Sequence, residues 1–238
     1  MNTPYAWQNA AAPASGAIYD EGLRRHMLRV YNIMGLGLVV TGLVAMLVAS
    51  TPAIYGPIFG SPLKWVVMLA PLAFIFVFSM KMETMTASTA QALFWTFCAL
   101  MGLSMASIFV VFTGQSIART FFITAAMFGA TSLYGYTTKR DLSKMGSFLM
   151  MGLIGIVIAS LVNLLVGSSA LQFAISIIGV LVFTGLTAYD TQSIKEQYAE
   201  GFGGEGNAKL AVMGALSLYL NFINLFQMLL SLTGQRED

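Results

Sequence analysis

The stretch MGSFLMMGLIGIVIASLVNLLVGSSALQFAISIIGVLVFTGLTAY, Met145–Tyr189, contains no Asp, Glu, Lys or Arg. A helix rises ~1.5 Å per residue, so about 20 apolar residues cross a ~30 Å hydrocarbon core. The stretch is therefore long enough to cross twice, and Gly167-Ser168-Ser169 supplies a turn between the crossings. This predicts spans at Ser147–Val166 and Leu171–Tyr189. Four more uncharged blocks flank it: Val30–Leu63, Thr84–Ala118, Thr120–Thr138 and Leu210–Gln235. They place further spans at Tyr31–Ser50, Pro62–Met80, Gln91–Phe112, Thr120–Tyr136 and Ala211–Leu232, seven in all. A transmembrane barrel would instead alternate over ~10-residue segments.

Composition agrees. Of 238 residues, 57% are hydrophobic and 9% charged, against about 25% charged in a soluble domain. A soluble fold of this length lacks the charges to cover its surface. One cysteine, Cys98, excludes a disulfide framework, and one histidine, His26, excludes a His/Cys metal cluster. The formal net charge of +2 is too small to point to nucleic acid. No nucleophile elbow, Walker loop, zinc-protease motif or Ser/His/Asp set is present, so the chain does not read as an enzyme and no cofactor is expected. Its first surroundings are the lipid bilayer.

Residues 1–22 are rich in Ala, Asn and Pro and read as a flexible tail, 23–234 as the membrane domain, and 235–238 as a short C-terminal tail. The tail lacks the pattern of a cleaved signal peptide. Lys and Arg set the orientation. Arg24, Arg25, Arg29, Lys81, Lys139, Arg140, Lys144, Lys195 and Lys209 fall on one side of the seven spans, and Lys64, Arg119 and Arg236 on the other. The positive-inside rule then puts the N-terminus in the cytoplasm. The C-terminus lies outside if the seventh span crosses fully and inside if it only dips.

Small-residue pairs mark expected helix contacts: Gly35 and Gly42, Gly102 and Ala106, Ala125 and Gly129, Gly155 and Ala159. The sixteen Met residues read as soft packing.

Polar residues inside the spans carry the functional signal. Ser217, Asn221, Asn224, Gln227 and Ser231 recur every three or four residues on span 7, a polar stripe that must face protein or water. Span 7 is thus either central or lines a cavity, and the stripe serves either as a pathway or as hydrogen-bonding glue between helices. Asp190 follows span 6 directly, with Thr187 one turn before it. A carboxylate within the membrane is a functional candidate by default; the plainer reading is a cap at the headgroups. If buried, it would be a proton-sensitive switch, with partners available in the turn after span 4 (Tyr134, Tyr136, Lys139, Arg140, Asp141) and at Lys81 and Glu83. Asp190 lies at the end of span 6 and Asn221 about 11 residues, roughly 16 Å, into span 7. The two meet only if span 7 begins early or span 6 runs past Tyr189.

Ala188-Tyr189-Asp190-Thr191-Gln192, together with Ala215-Leu216-Ser217-Leu218-Tyr219-Leu220-Asn221-Phe222-Ile223-Asn224-Leu225-Phe226, closely resembles the Bax inhibitor-1 family. Gly135-Tyr136-Thr137-Thr138-Lys139-Arg140-Asp141-Leu142 resembles its turn between the fourth and fifth helices. The resemblance implies an all-α polytopic membrane protein of seven transmembrane helices, six around a central C-terminal one, in the inner membrane of a bacterium. It also implies a pH-gated calcium leak, with Ca²⁺ as the transported ion. The family's gate is a pair of aspartates, the first matched by Asp190 and the second replaced here by Asn221. A basic residue near the end of the second helix meets the pair in some relatives; Lys81 is the candidate, with Arg140 a second basic neighbour. Two functions stand open: a pH-sensitive cation leak through Asp190, Thr187, Ser217, Asn221 and Asn224, or a non-conducting regulator that binds another membrane protein, such as a membrane protease.

Overall fold

The computed structural model describes residues 12–81, 84–198 and 203–237. The first eleven residues of the expected tail, Glu83 and Asp238 lie outside this set. Among the described residues the chain is helical, in the order α1 (Ala12–Ala49), α2 (Pro52–Phe59), α3 (Leu63–Lys81), α4 (Ala87–Met105), α5 (Ile108–Val111), α6 (Gly114–Thr137), α7 (Ser143–Val166), α8 (Ser169–Gln197) and α9 (Gly203–Thr233). Six helices are long and apolar enough to cross a membrane, counting α4 and α5 as one. Pro52–Phe59 and Leu63–Phe78 pass the same test as a pair bent by 88°.

The helix ends follow from local chemistry. Thr86, Thr113 and Ser168 cap α4, α6 and α8, each side chain accepting the N–H three residues on at 3.3 Å. Gly167 ends α7 in the left-handed region at φ 66°, and its N–H bonds the Asn163 carbonyl at 2.7 Å. That glycine makes the tight reversal expected between the fifth and sixth spans.

Several boundaries differ from the hydropathy reading. The chain is already helical at Ala12, inside the stretch read as a tail. The span expected to be continuous over Gln91–Phe112 breaks at Ala106-Ser107 between α4 and α5. α8 runs on past Tyr189 to Gln197, and α9 starts at Gly203 rather than near Ala211. Both extensions are polar, so hydropathy alone cannot see them.

α9 packs against α1, α4, α6 and α8. Of its most apolar window 56% is buried, against 17% for α7. Tyr219 is wholly buried, with Phe94 and Phe97 edge-on at 5.8 Å. Its hydroxyl lies 2.6 Å from Thr41 Oγ1. Thr41 sits within 3.0 Å of the Gly37 carbonyl and 2.9 Å of that of Cys98. A hydroxyl has one proton, so Thr41 donates to those carbonyls and accepts from Tyr219. A second core joins Leu149 and Ile156 of α7 to Val182, Phe183 and Leu186 of α8 and Leu225 of α9.

Of the expected small-residue contacts, Gly102-Ala106 is a close packing point. A methyl group on Gly102 would lie 2.6 Å from the Thr41 carbonyl oxygen, and Ala106 is fully buried. Gly35, Gly42, Gly129 and Gly155 have no heavy atom of a neighbour within 4 Å of such a methyl. They face outward, because spacing alone does not say which side of a helix meets another. The tightest approach is at Gly135, where a methyl would sit 2.1 Å from the Ala188 carbonyl oxygen.

α9 runs from one end of the bundle to the other. At its start, Glu205 Oε1 lies 3.5 Å from the Ala87 N–H, and a cavity of about 390 Å³ is lined by Glu21, Arg25, Tyr198 and Gly203. At its far end the chain is pinned to the α5–α6 turn. Thr113 N–H donates to the Gln235 carbonyl and Glu237 N–H to that of Val111, each at 3.0 Å. Gln235 N–H donates to Ser116 Oγ at 2.9 Å. The starts of α1, α4 and α9 and the α6–α7 turn thus share one end, and with them nine of the twelve basic residues.

Candidate functional site between α8 and α9

Asp190 sits about two turns, roughly 10 Å, inside the C-terminal end of α8. It is half-buried and faces α9. On α9, Ser217 and Asn221 are four residues apart and project from one face. Ser217 Oγ donates to Asp190 Oδ2 at 2.6 Å and Asn221 Nδ2 donates to the same oxygen at 2.7 Å. The hydropathy boundaries had separated these residues; the two polar helix extensions bring them together. Both bonds are at the short end of the hydrogen-bond range. Asp190 is therefore built into the α8–α9 interface.

The other candidate residues are placed as follows. Thr187 is fully buried and donates to the Phe183 carbonyl of its own helix at 2.8 Å. Asn224 Nδ2 likewise donates to the Leu220 carbonyl at 2.8 Å. Neither bonds Asp190. Lys81 ends α3 and is exposed, and Arg140 is exposed in the α6–α7 turn. Among the described residues neither makes an ion pair with Asp190; the one pair seen is Arg25 with Glu21. In the same turn, the Ser143 hydroxyl and then its backbone N–H hold the exposed Asp141 carboxyl below the usual carboxylate range. The described residues contain no cluster of three or more His, Cys, Asp or Glu.

Three groups escaped the sequence reading. Thr191 Oγ1 donates to the Thr187 carbonyl at 2.7 Å and lies 2.9 Å from Ser132 Oγ, which lies 2.5 Å from the Tyr31 hydroxyl. One proton per hydroxyl fixes the direction: Tyr31 donates to Ser132, and Ser132 to Thr191. The chain ties α1 and α6 to α8 beside Asp190. Gln192, the next residue, binds the α6–α7 turn through both ends of its amide. At the opposite end of the bundle, Gln172 Nε2 lies 3.4 Å from both Ser176 and Ser231, and Gln172 Oε1 accepts from Asn163 Nδ2 at 3.2 Å. The α9 stripe thus meets a carboxylate at one end and an amide–hydroxyl cluster at the other. The signal was present in the consecutive polar triplet Asp190-Thr191-Gln192, of which the carboxylate alone was singled out.

Residues 23–238 match the family model described as inhibitor of apoptosis-promoting Bax1. A protein of Rickettsia prowazekii is 50% identical over 220 residues, covering 92% of this chain and 93% of its own. One from Caulobacter vibrioides is 48% identical over 248 residues, covering 100% and 99%. The inner membrane protein YbhL of Escherichia coli K12 is 47% identical over 218 residues, covering 90% and 93%.

Proposed function

The chain belongs to the Bax inhibitor-1 family, and from that premise we propose that it is a pH-sensitive cation leak of a bacterial inner membrane, carrying Ca²⁺, in which Asp190 senses protons. The observation that supports this reading is the pair of hydrogen bonds accepted by a single oxygen. Ser217 and Asn221 both donate to Asp190 Oδ2, so one carboxyl oxygen joins α8 to α9. Protonation removes the charge that strengthens both bonds, each of which contributes roughly 1.5–3 kcal/mol when its acceptor is ionised. Acid therefore weakens the latch and lets α9 part from α8 along its polar face. The name of the Escherichia coli relative and the apolar helices favour the inner membrane. The nine basic residues gathered at the end where α1 starts favour a cytoplasmic N-terminus.

A second reading rests on Asn221. A neutral amide stands where the family pairs a second acid, which weakens the case for a divalent cation and favours a non-conducting regulator of another membrane protein. Calcium flux into liposomes, measured between about pH 5 and pH 8, separates the two. The leak reading expects flux that rises as pH falls and an Asp190→Asn protein whose flux no longer follows pH. Absence of flux throughout leaves the regulator. A wild-type pH profile in purified Asp190→Asn protein removes Asp190 from the sensing role.

A further inference from the structure

Successive residues of a helix point about 100° apart, so Asp190, Thr191 and Gln192 reach three neighbours. Asp190 faces α9, Thr191 faces α6, and Gln192 faces the α6–α7 turn. Gln192 is 6% exposed. Its Oε1 accepts the Leu142 N–H at 2.9 Å and its Nε2 donates to the Arg140 carbonyl at 2.8 Å. A primary amide carries the same donor and acceptor as a peptide group, so Gln192 pairs with the turn as a neighbouring strand would. Leu142 is itself 6% exposed, and without Gln192 its N–H would lack a partner at a buried position. The contact is reinforced one turn along, where Lys195 Nζ donates to the Tyr136 carbonyl at 2.9 Å. The backbone has no slack here either. A methyl on Gly135 would lie 2.1 Å from the Ala188 carbonyl oxygen, and one on Gly146 2.4 Å from the Tyr189 ring. Residues 188–192 therefore form one body with the end of α6 and the start of α7.

We propose that Gln192 is a positioning residue that couples the bonds of Asp190 to the conformation of the α6–α7 turn, so that freeing Asp190 from α9 loosens the turn and freeing the turn loosens the hold on α9. The coupling deepens the reading of Asp190 as a latch, and it is reciprocal by thermodynamic necessity. Its consequence is a signal at the surface: the turn displays the exposed cations Lys139, Arg140 and Lys144, and their arrangement changes when a carboxylate inside the bundle lets go.

Hydrogen exchange read by mass spectrometry on the full chain in lipid nanodiscs tests this, on peptides covering 138–146 and 214–224. Gln192→Ala is expected to speed exchange at the turn by about tenfold or more and to speed it in the α9 peptide as well. Asp190→Asn is expected to do the same in both places. Gln192→Met fills a similar volume without either hydrogen bond and takes the same measurement if Gln192→Ala does not fold. A turn as protected in the Gln192 variants as in wild type overturns the clamp. Loosening confined to the turn in Gln192→Ala and to α9 in Asp190→Asn overturns the coupling. Exchange does not depend on conduction: a protein that carries no ion ends the leak reading and leaves the coupling standing, and unchanged exchange ends the coupling whatever the flux.

Discussion

At the scale of single residues, the site turns on one carboxylate served by two neutral donors. Ser217→Ala deletes one of them. A hydrogen bond to a charged group contributes roughly 1.5–3 kcal/mol, and 1.4 kcal/mol is a factor of ten, so the closed state should lose about tenfold or more of its population advantage. Leak through the variant at neutral pH should rise accordingly in a liposome flux assay; leak unchanged from wild type would mean that the Ser217 bond does not hold the closed state. Asn221→Asp works in the opposite chemical sense. Asn221 Nδ2 is 2.7 Å from Asp190 Oδ2, so the substitution sets a second carboxyl group against the first. Two carboxyls that close share a proton and titrate as a pair. The flux of Asn221→Asp should follow pH with a changed shape, and Ca²⁺ binding should strengthen by about tenfold because the site gains a charged oxygen ligand. Curves identical to wild type would show that position 221 does not communicate with Asp190.

At the scale of helices, close approach is the testable feature. A methyl at Gly135 would collide with backbone, which cannot rotate away. Overpacking of this kind costs typically 1–3 kcal/mol, and for a chain of this size each kcal/mol shifts Tm by about 2–4 °C. Gly135→Ala should melt several degrees below wild type in detergent. Gly129→Ala, one helix face away and open to 4 Å, should melt with wild type. Equal melting of the two would mean that α6 and α8 are not held by this contact. The same contrast explains what the sequence made legible. Long uncharged blocks locate helices well, because a hydrocarbon core excludes charge whatever the packing. They locate helix ends poorly, because a helix continues wherever its backbone bonds continue, and the polar residues from Asp190 to Gln197 do not interrupt them. Asp190 and Asn221 were visible as unusual residues; their contact was not, since it depends on two extensions that hydropathy treats as loop. Thr191 and Gln192 were read only as part of the family motif and given no role, because polar residues near a helix end look ordinary until their partners are known. Gly129 and Gly155 were expected at contacts because small-residue spacing marks a face without naming what covers it.

At the scale of the whole molecule, the direction of the bundle decides which compartment the proposed sensor, Asp190, would face. The α6–α7 turn, the start of α9 and nine of twelve basic residues lie at one end. The α7–α8 turn and Gln235–Glu237, pinned to Val111 and Thr113, lie at the other. α9 therefore traverses the bundle, and if the helices stand across a bilayer the two ends of the chain face different compartments. Asp190 is about two turns from the basic end, so protons from the cytoplasm have the shorter route to it if the positive-inside rule holds. Single cysteines in a Cys98→Ala background test this with a membrane-impermeant thiol reagent added outside intact cells. Ser169→Cys and Gln235→Cys, both at exposed positions, should label. Ser143→Cys, exposed in the α6–α7 turn, should label only after the membrane is permeabilised. The reverse pattern would turn the molecule over and make Asp190 a sensor of the outer compartment. Labelling of Ser169→Cys without Gln235→Cys would instead mean that α9 does not cross in the membrane. The C-terminal pairing with the α5–α6 turn would then have to open, because that turn and the α7–α8 turn share one end of the bundle.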